Sequence, residues 1–342
     1  MAVYTTIDDP TLHFQAKIYT GTGSSHAVTF DGDTDMSPDM VWIKARNHSY
    51  DHRLVDTVRG ATKEIYPDLT SAEATDAEGV KTFDSNGFTL GTTAAINSGS
   101  SKTFVSWNWK AGGSTATNSS GDITSTVSVN TTSKFSIVSY EGNKTDDQTV
   151  GHSLGVVPEM IITKPRDISD NWGVYHKSMG NTHGLYLNTN AAKIDSVAYW
   201  SDADPTSTLV TLGENEATND DESMIMYAFA PVQGYSKFGS FVSNDTVDNT
   251  FVYCGFKPAL LMAKTTTSTN DWVIFDNKRD PHNVTQHKLY PDLDNAEATS
   301  ENDLDFLSNG FKFRNRYGAN TLVYMAFAES PFVNSKGVPN NA

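Results

Sequence analysis

Short apolar segments rich in Val, Ile, Phe, Tyr and Trp alternate along the chain with clusters of Gly, Asn, Asp, Ser and Thr, the pattern of β-strands punctuated by turns. Two runs, Met40-Val-Trp-Ile43 and Leu260-Leu-Met-Ala263, are continuously apolar, which predicts central strands buried on both faces. A Lys ends each of these runs, and a strand-terminating role at a sheet edge is the expectation for it. No long amphipathic helix is encoded: the best segment, Thr70 to Glu78, has only alanines for an apolar face and predicts a turn or two. The fold class is therefore all-β.

The same pattern occurs three times. Pro38-Asp-Met-Val-Trp-Ile-Lys44, Pro158-Glu-Met-Ile-Ile-Thr-Lys164 and Pro258-Ala-Leu-Leu-Met-Ala-Lys264 start 120 and 100 residues apart. Twelve residues past each Lys stand Asp56, His176 and Asp276, each after an apolar pair, and each copy closes on an aromatic strand at Trp107-Asn-Trp109, Tyr227-Ala-Phe229 and Met325-Ala-Phe327. Copies one and three also share Tyr-Pro-Asp-Leu (66–69, 290–293), Ala-Glu-Ala-Thr (72–75, 296–299) and Ser-Asn-Gly-Phe (85–88, 308–311). Asn86-Gly87 and Asn309-Gly310 predict two-residue hairpin turns.

The organisation expected is a docking arm (1–16), three antiparallel β-sandwich modules of jelly-roll or immunoglobulin-like kind (17–111, 134–234, 235–332), a Ser/Thr/Gly-rich linker (112–133) and a tail (333–342). The modules read as three thin sandwiches, with the second and third held more tightly by their short connection around Gln233-Gly-Tyr235.

Composition narrows the function classes. A net charge of −16 repels nucleic-acid phosphates and anionic lipid surfaces. One cysteine, Cys254, allows no intramolecular disulfide and no Cys-based zinc site. The N-terminal stretch has no basic-then-apolar leader and no run of eighteen apolar residues occurs, so a soluble chain made in a reducing compartment is expected, without membrane insertion.

Candidate chemistry is sparse. Asp31-Gly-Asp-Thr-Asp35 has the alternating carboxylates of a calcium loop, but Met36 and Trp42 stand where a complete loop needs Gly and Glu, so Asp31, Asp33 and Asp35 are weak metal candidates beside a solvated acidic turn. Asp146-Asp147 makes the same weak case in copy two. His48 and His52 lie four apart in a loop-like stretch, where no shared metal face is implied. Glu73 and Glu297 recur at equivalent positions of separate modules, which places them apart from each other instead of across one substrate. No catalytic residue and no cofactor are assigned, and no enzyme is expected. Tyr199-Trp200 with Asp202 and Asp204 is the one loop that combines two rings with acidic acceptors, a glycan-contact candidate whose alternative is a cap over the sandwich end.

Tyr4-Thr-Thr-Ile-Asp-Asp-Pro10, Lys17-Ile-Tyr-Thr-Gly21, Pro38 to Arg46, Asp56-Thr-Val-Arg-Gly-Ala61, Phe83 to Gly91 and Trp107-Asn-Trp-Lys-Ala-Gly-Gly113 together resemble a sandwich module that recurs in structural proteins of tailed bacteriophages, marine and cyanobacterial ones especially. The likeness covers about the first hundred residues. It implies a virion structural protein made in the host cytoplasm, a tail-fibre or related appendage component in host attachment, with a capsid decoration or knob protein as alternative and a polysaccharide-degrading enzyme as a remoter one. Implied partners are other virion proteins, a homo-oligomer with a trimer favoured, and a host surface glycan. Within that frame the arm, through Asp8, Asp9, Pro10 and Phe14, is expected to dock onto another virion protein or a symmetry mate.

Overall fold

The computed structural model describes residues 4–99, 101–299 and 303–340 and is all-β, with antiparallel sheets that fall into three successive groups along the chain. Each unit pairs its first strand with its last. In module 1, Phe14–Thr20 runs antiparallel to Thr103–Trp109, which pairs with Met40–Ala45 and then Arg53–Asp56. Module 3 repeats this order with Ser236–Val242, Thr321–Pro331, Phe256–Thr265 and Val273–Asp276. A smaller sheet closes each sandwich: His26–Thr29, Gly87–Leu90 and Val80–Asp84 in module 1, and Phe251–Tyr253, Gly310–Phe313 and Leu304–Leu307 in module 3.

The strand Met40–Ala45 is buried throughout, as its unbroken apolar run predicts. Its alternate residues serve two cores. Val41 and Ile43 face the smaller sheet, meeting Val28, Phe88 and Leu90, while Met40 and Trp42 face the other way into a core that all three modules share. Met160 and Ile162 of module 2 and Leu260 and Met262 of module 3 enter the same shared core. At its centre Trp109, Phe229 and Phe327, the last rings of the three closing strands, contact one another with centroids 5.6–6.4 Å apart. The expectation of three thin sandwiches is thus corrected: a fourth, central core joins them, because the second face of each large sheet is too apolar to leave in water.

Three local expectations are also corrected. Residues 112–133 are more than a linker: Ala116–Asn118 and Ser125–Asn130 form two strands that extend the large sheet of module 2 beyond Phe135–Glu141. The Ser-Thr-Val-Ser-Val alternation buries Val127 and Ser128 there, enough for a strand where a neighbouring edge completes the pairing. In the hairpins the two loop residues are Ser85-Asn86 and Ser308-Asn309, with the glycine already paired in the strand. The glycine is required by crowding: a Cβ on Gly87 or Gly310 would sit 2.0 Å from the carbonyl oxygen of Val28 or Val252.

The third correction concerns the recurring lysines. Lys44, Lys164 and Lys264 are fully buried, and each ammonium caps the carbonyl of the next residue together with a loop carbonyl. Lys44 donates to Ala45 O and His48 O, Lys164 to Pro165 O and Ile168 O, and Lys264 to Thr265 O and to Asn190 O of module 2. Desolvation lowers each of the three to about 8.

Candidate functional site

Residues at equivalent positions of the three copies meet at the joints between modules, and the joints close a ring. Arg166 of module 2 grips Glu73 of module 1 in a fork at 2.9 and 3.0 Å, and Arg46 of module 1 grips Glu297 of module 3 in the same way at 2.9 to 3.2 Å. The backbone N–H of each Glu donates to the carbonyl of the same Arg at 2.7 Å. At the third joint Thr266 of module 3 and Lys193 of module 2 occupy these places, and only the backbone bond remains, at 3.0 Å.

A second set of contacts follows the same rotation. Trp172 donates its indole N–H to Tyr66 O of module 1, and Trp272 donates to Tyr186 O of module 2. Module 1 has His52 at this position. Its Nε2 lies 3.0 Å from Tyr290 O, and its Nδ1 accepts from Trp42 Nε1 at 2.8 Å, an arrangement that fixes the neutral Nε2–H tautomer. Desolvation and the neighbouring Lys44 charge hold this imidazole well below the ordinary histidine range.

The third set involves Asp56, His176 and Asp276. Asp56 accepts from Tyr227 OH of module 2 at 2.7 Å, and Asp276 accepts from Trp107 Nε1 of module 1 at 3.0 Å. In module 3 the facing ring position is Met325, which has no donor; opposite it stands His176, which reaches the backbone carbonyl of Tyr324 at 3.1 Å. Asp56 and Asp276 are further bound by the buried guanidiniums of Arg59 and Arg279, both at 2.6 Å, whereas the corresponding residue of copy two is the core residue Met179. Two joints therefore carry a buried ion-pair network and, among the described residues, the third carries none. This third joint connects modules 2 and 3, which the short segment around Gln233 already holds at high effective concentration.

The electrostatics fit this assignment. Burial alone would raise the Glu73 carboxyl, but hydrogen bonding from Arg166 and the charge of Arg59 outweigh it and hold it below the usual range. Asp68 and Asp292 go the other way: desolvation, then the charges of Asp51 and Asp271, raise each to about 7. Copy two solves the same crowding with amides, as Asn188 Nδ2 donates to Asn171 Oδ1 at 3.0 Å.

The residues singled out in the sequence are scattered over this frame. Asp31 is held by Lys17 and by Lys278 of module 3, while Asp33 and Asp35 are solvent-exposed, so the three carboxylates do not converge. Among the described residues no group of three or more His, Cys, Asp or Glu is placed to hold a metal ion. Asp146 accepts a hydrogen bond from Ser201. His48 stacks on Tyr50, away from the role His52 plays.

Tyr199 and Trp200 are 2% and 1% exposed inside the core of module 2, where Trp200 meets Tyr175 edge-on. The glycan-contact expectation is corrected for these rings, which cap the sandwich end; Asp202 and Asp204 remain at the surface.

The arm is corrected as well. Phe14 stacks on Phe327 in the shared core, Pro10 is buried, Asp9 caps the short turn Pro10–Leu12, and Asp8 accepts hydrogen bonds from Ser335. Tyr4 donates to Gly255 O of module 3. Residues 4–16 thus pack on their own chain; residues 1–3 of the expected arm lie outside the described residues. Two open grooves of about 500 and 450 Å3 flank Tyr4, and two more of about 310 and 270 Å3 lie on module 3 and where it meets module 1.

Sequence reasoning missed the joint residues Arg46, Arg166, Trp172 and Trp272 as a set. The signal that could have found them was recurrence at equal offsets of residues too polar or too large for an isolated sandwich. Neither the curated proteins nor the solved structures contain a match to this chain. One family model matches residues 9–331, which span all three modules and their joints, and the chain belongs to that family, described as a domain of unknown function (DUF7483).

Proposed function

We propose that this protein is a non-enzymatic structural component of a tailed-phage particle, a tail-fibre or related appendage protein that contributes to host-surface adhesion. It is made in the host cytoplasm and works in the virion. The observation that carries this reading is the closed ring of three sandwich modules around one apolar axis, in which the recurring buried polar residues serve to hold module against module. A body of this kind is a rigid spacer. The resemblance of the first hundred residues to modules of phage appendages supplies the particle context. Fibres commonly obtain threefold geometry from several chains, and a homo-oligomer with a trimer favoured is the assembly proposed, with other virion proteins as neighbours and a host glycan as the ligand class.

The internal threefold arrangement also favours a second reading, a decoration protein seated on a threefold position of the capsid lattice. An antibody against the chain, applied to purified particles and viewed by electron microscopy, tests both. Label on the tail or its appendages supports the adhesion reading and label on the head supports decoration. Particles without label overturn the virion assignment, and release of reducing sugar from host envelope by the pure protein overturns the non-enzymatic one.

A further inference from the structure

The three modules expose the same sheet edge and treat it in three ways. In module 2 the edge strand Phe135–Glu141 is covered by Ser125–Asn130, which runs antiparallel to it from Asn130 opposite Phe135 to Ser125 opposite Tyr140. The covering segment continues onto the smaller sheet: Ile123 N–H donates to Thr149 O, Asp122 accepts from the Thr149 hydroxyl, and Asn118 lies against Gly151. In module 1 the corresponding strand Phe14–Thr20 is open, with Ala27 and Thr29 at the positions of Thr149 and Gly151. In module 3 the edge is also open, and at those two positions stand Phe251 and Tyr253, 43% and 47% exposed. Val242 and Val247 beside them are 58% and 63% exposed.

The backbone at this edge is ready to pair. Ser236 N–H turns away from Thr321–Pro331 to reach Val232 O, while Ser243 N–H turns toward it to reach Asn320 O. By the alternation of an antiparallel ladder, Phe238 and Ser240 direct their N–H groups outward. The equivalent outward groups in module 2 are those of Ile137 and Ser139, which face Ser128 and Thr126 of the covering strand. Unpaired edges of this kind are normally blunted by charge or covered; Lys17 places its charge in the middle of the module 1 edge, paired with Asp31, whereas on module 3 Gly239 takes that position and Lys237, near the start of the strand, is turned onto Tyr253 O at 2.6 Å. The chain before module 3 is too short to fold back as residues 116–130 do before module 2, and among the described residues the arm's hydrogen bonds at this edge are those of Tyr4 at its corner, to Tyr253 OH and Gly255 O.

We propose that the edge formed by Ser236–Val242 and Phe251–Tyr253 is a docking site for an extended strand supplied by another protein, entering antiparallel to Ser236–Val242 with apolar side chains at alternate positions. The occupied edge of module 2 specifies that chemistry: main-chain pairing gives the affinity, and side chains in the places of Val127 and Val129 cover the core around Phe241 and Val252. This holds wherever on a particle, or elsewhere, the protein acts.

The test titrates the intact chain with a labelled synthetic peptide of residues Asp122 to Thr131, the segment that fits the equivalent edge, and follows fluorescence anisotropy. Saturable one-to-one binding with Kd at or below ~1 mM is expected. Ser240→Pro removes an outward N–H and no ladder bond, and Val242→Lys places a charge on the edge; each should weaken binding at least roughly tenfold with an unchanged melting temperature. Ile18→Pro, the matching change on module 1, should leave binding as it was. Absence of saturable binding overturns the proposal, as does binding that Ser240→Pro leaves intact. A dimer in light scattering that Ser240→Pro dissociates also overturns it, by making a second copy the occupant.

Discussion

The Tyr227 hydroxyl donates to the carboxylate of Asp56 at 2.7 Å across 171 residues of sequence, and this one contact ties the closing strand of module 2 to the strand Arg53–Asp56 of module 1. Both groups are fully buried, and Asp56 is also bound by Arg59, so the bond forms in a medium where an unmade partner is costly. Tyr227→Phe should lower stability by about 2 kcal/mol, the worth of a hydrogen bond to a charged group, in denaturant titration with an unchanged m-value. A loss indistinguishable from zero would show that Arg59 alone satisfies the carboxylate.

The forked ion pairs at the two ionic joints are shielded, with the Glu73 and Glu297 side chains 8% and 7% exposed. Glu73→Gln leaves Arg59 and Arg166 without their shared carboxylate, and Glu297→Gln does the same to Arg279 and Arg46. Each should cost about 3 kcal/mol, the penalty for breaking a buried pair by removing one partner. The two losses are expected to agree within about 1 kcal/mol, because the joints are built alike. Chemical denaturation of both variants checks this.

Asp68 and Asp292 give the protein a pH dependence whose sign follows from proton counting. Each is raised to about 7 from 3.8, so between these values the native state keeps protons that the unfolded state has released, and stability falls as pH rises through that window. Above pH 7 the whole cost is present. The double variant Asp68→Asn, Asp292→Asn, which copies Asn188 of module 2, should melt higher than the parent at pH 8 and lose this part of the slope between pH 4 and 7. A variant that melts lower at pH 8 would contradict the assignment.

A shared core makes unfolding one event. Calorimetry is expected to show a single transition, with Trp109→Ala lowering it by about 3–5 kcal/mol because the ring touches both Phe229 and Phe327. Residues 235–332 expressed alone would expose Leu260, Met262, Trp272, Ile274, Met325 and Phe327 on one face. That fragment is expected to bind hydrophobic dyes or aggregate; a well-folded monomeric fragment would argue that the central core is dispensable.

The arm offers the plainest departure from the sequence reading. Deleting residues 1–9 removes the buried side chain of Ile7 and the Asp9 cap, and should cost about 2–4 kcal/mol in thermal or chemical unfolding of the isolated protein. An arm that served only an external partner would leave the isolated protein unaffected.

What the sequence determined by itself was local and periodic. Pro38, Pro158 and Pro258 with their apolar runs set three copies of one sandwich, because strand period and turn chemistry act within a few residues. The burial of Met40–Ala45 on both faces was readable for the same reason, but not the identity of what covers the second face. That was decided by tertiary structure. Lys44 looked like an edge residue and is buried, since an ammonium that finds loop carbonyls can enter a core. Tyr199 and Trp200 looked like a binding loop and close a sandwich, since exposure depends on the path of the chain around them. Glu73 and Glu297 were legible as a recurring pair, but their partners Arg166 and Arg46 could not be named, because they lie 93 and 251 residues away in sequence and meet only once three apolar sheet faces close around one axis. Hydrophobic burial is non-directional, so sequence pattern fixes which faces must be covered, and only the closed ring decides which residue covers which.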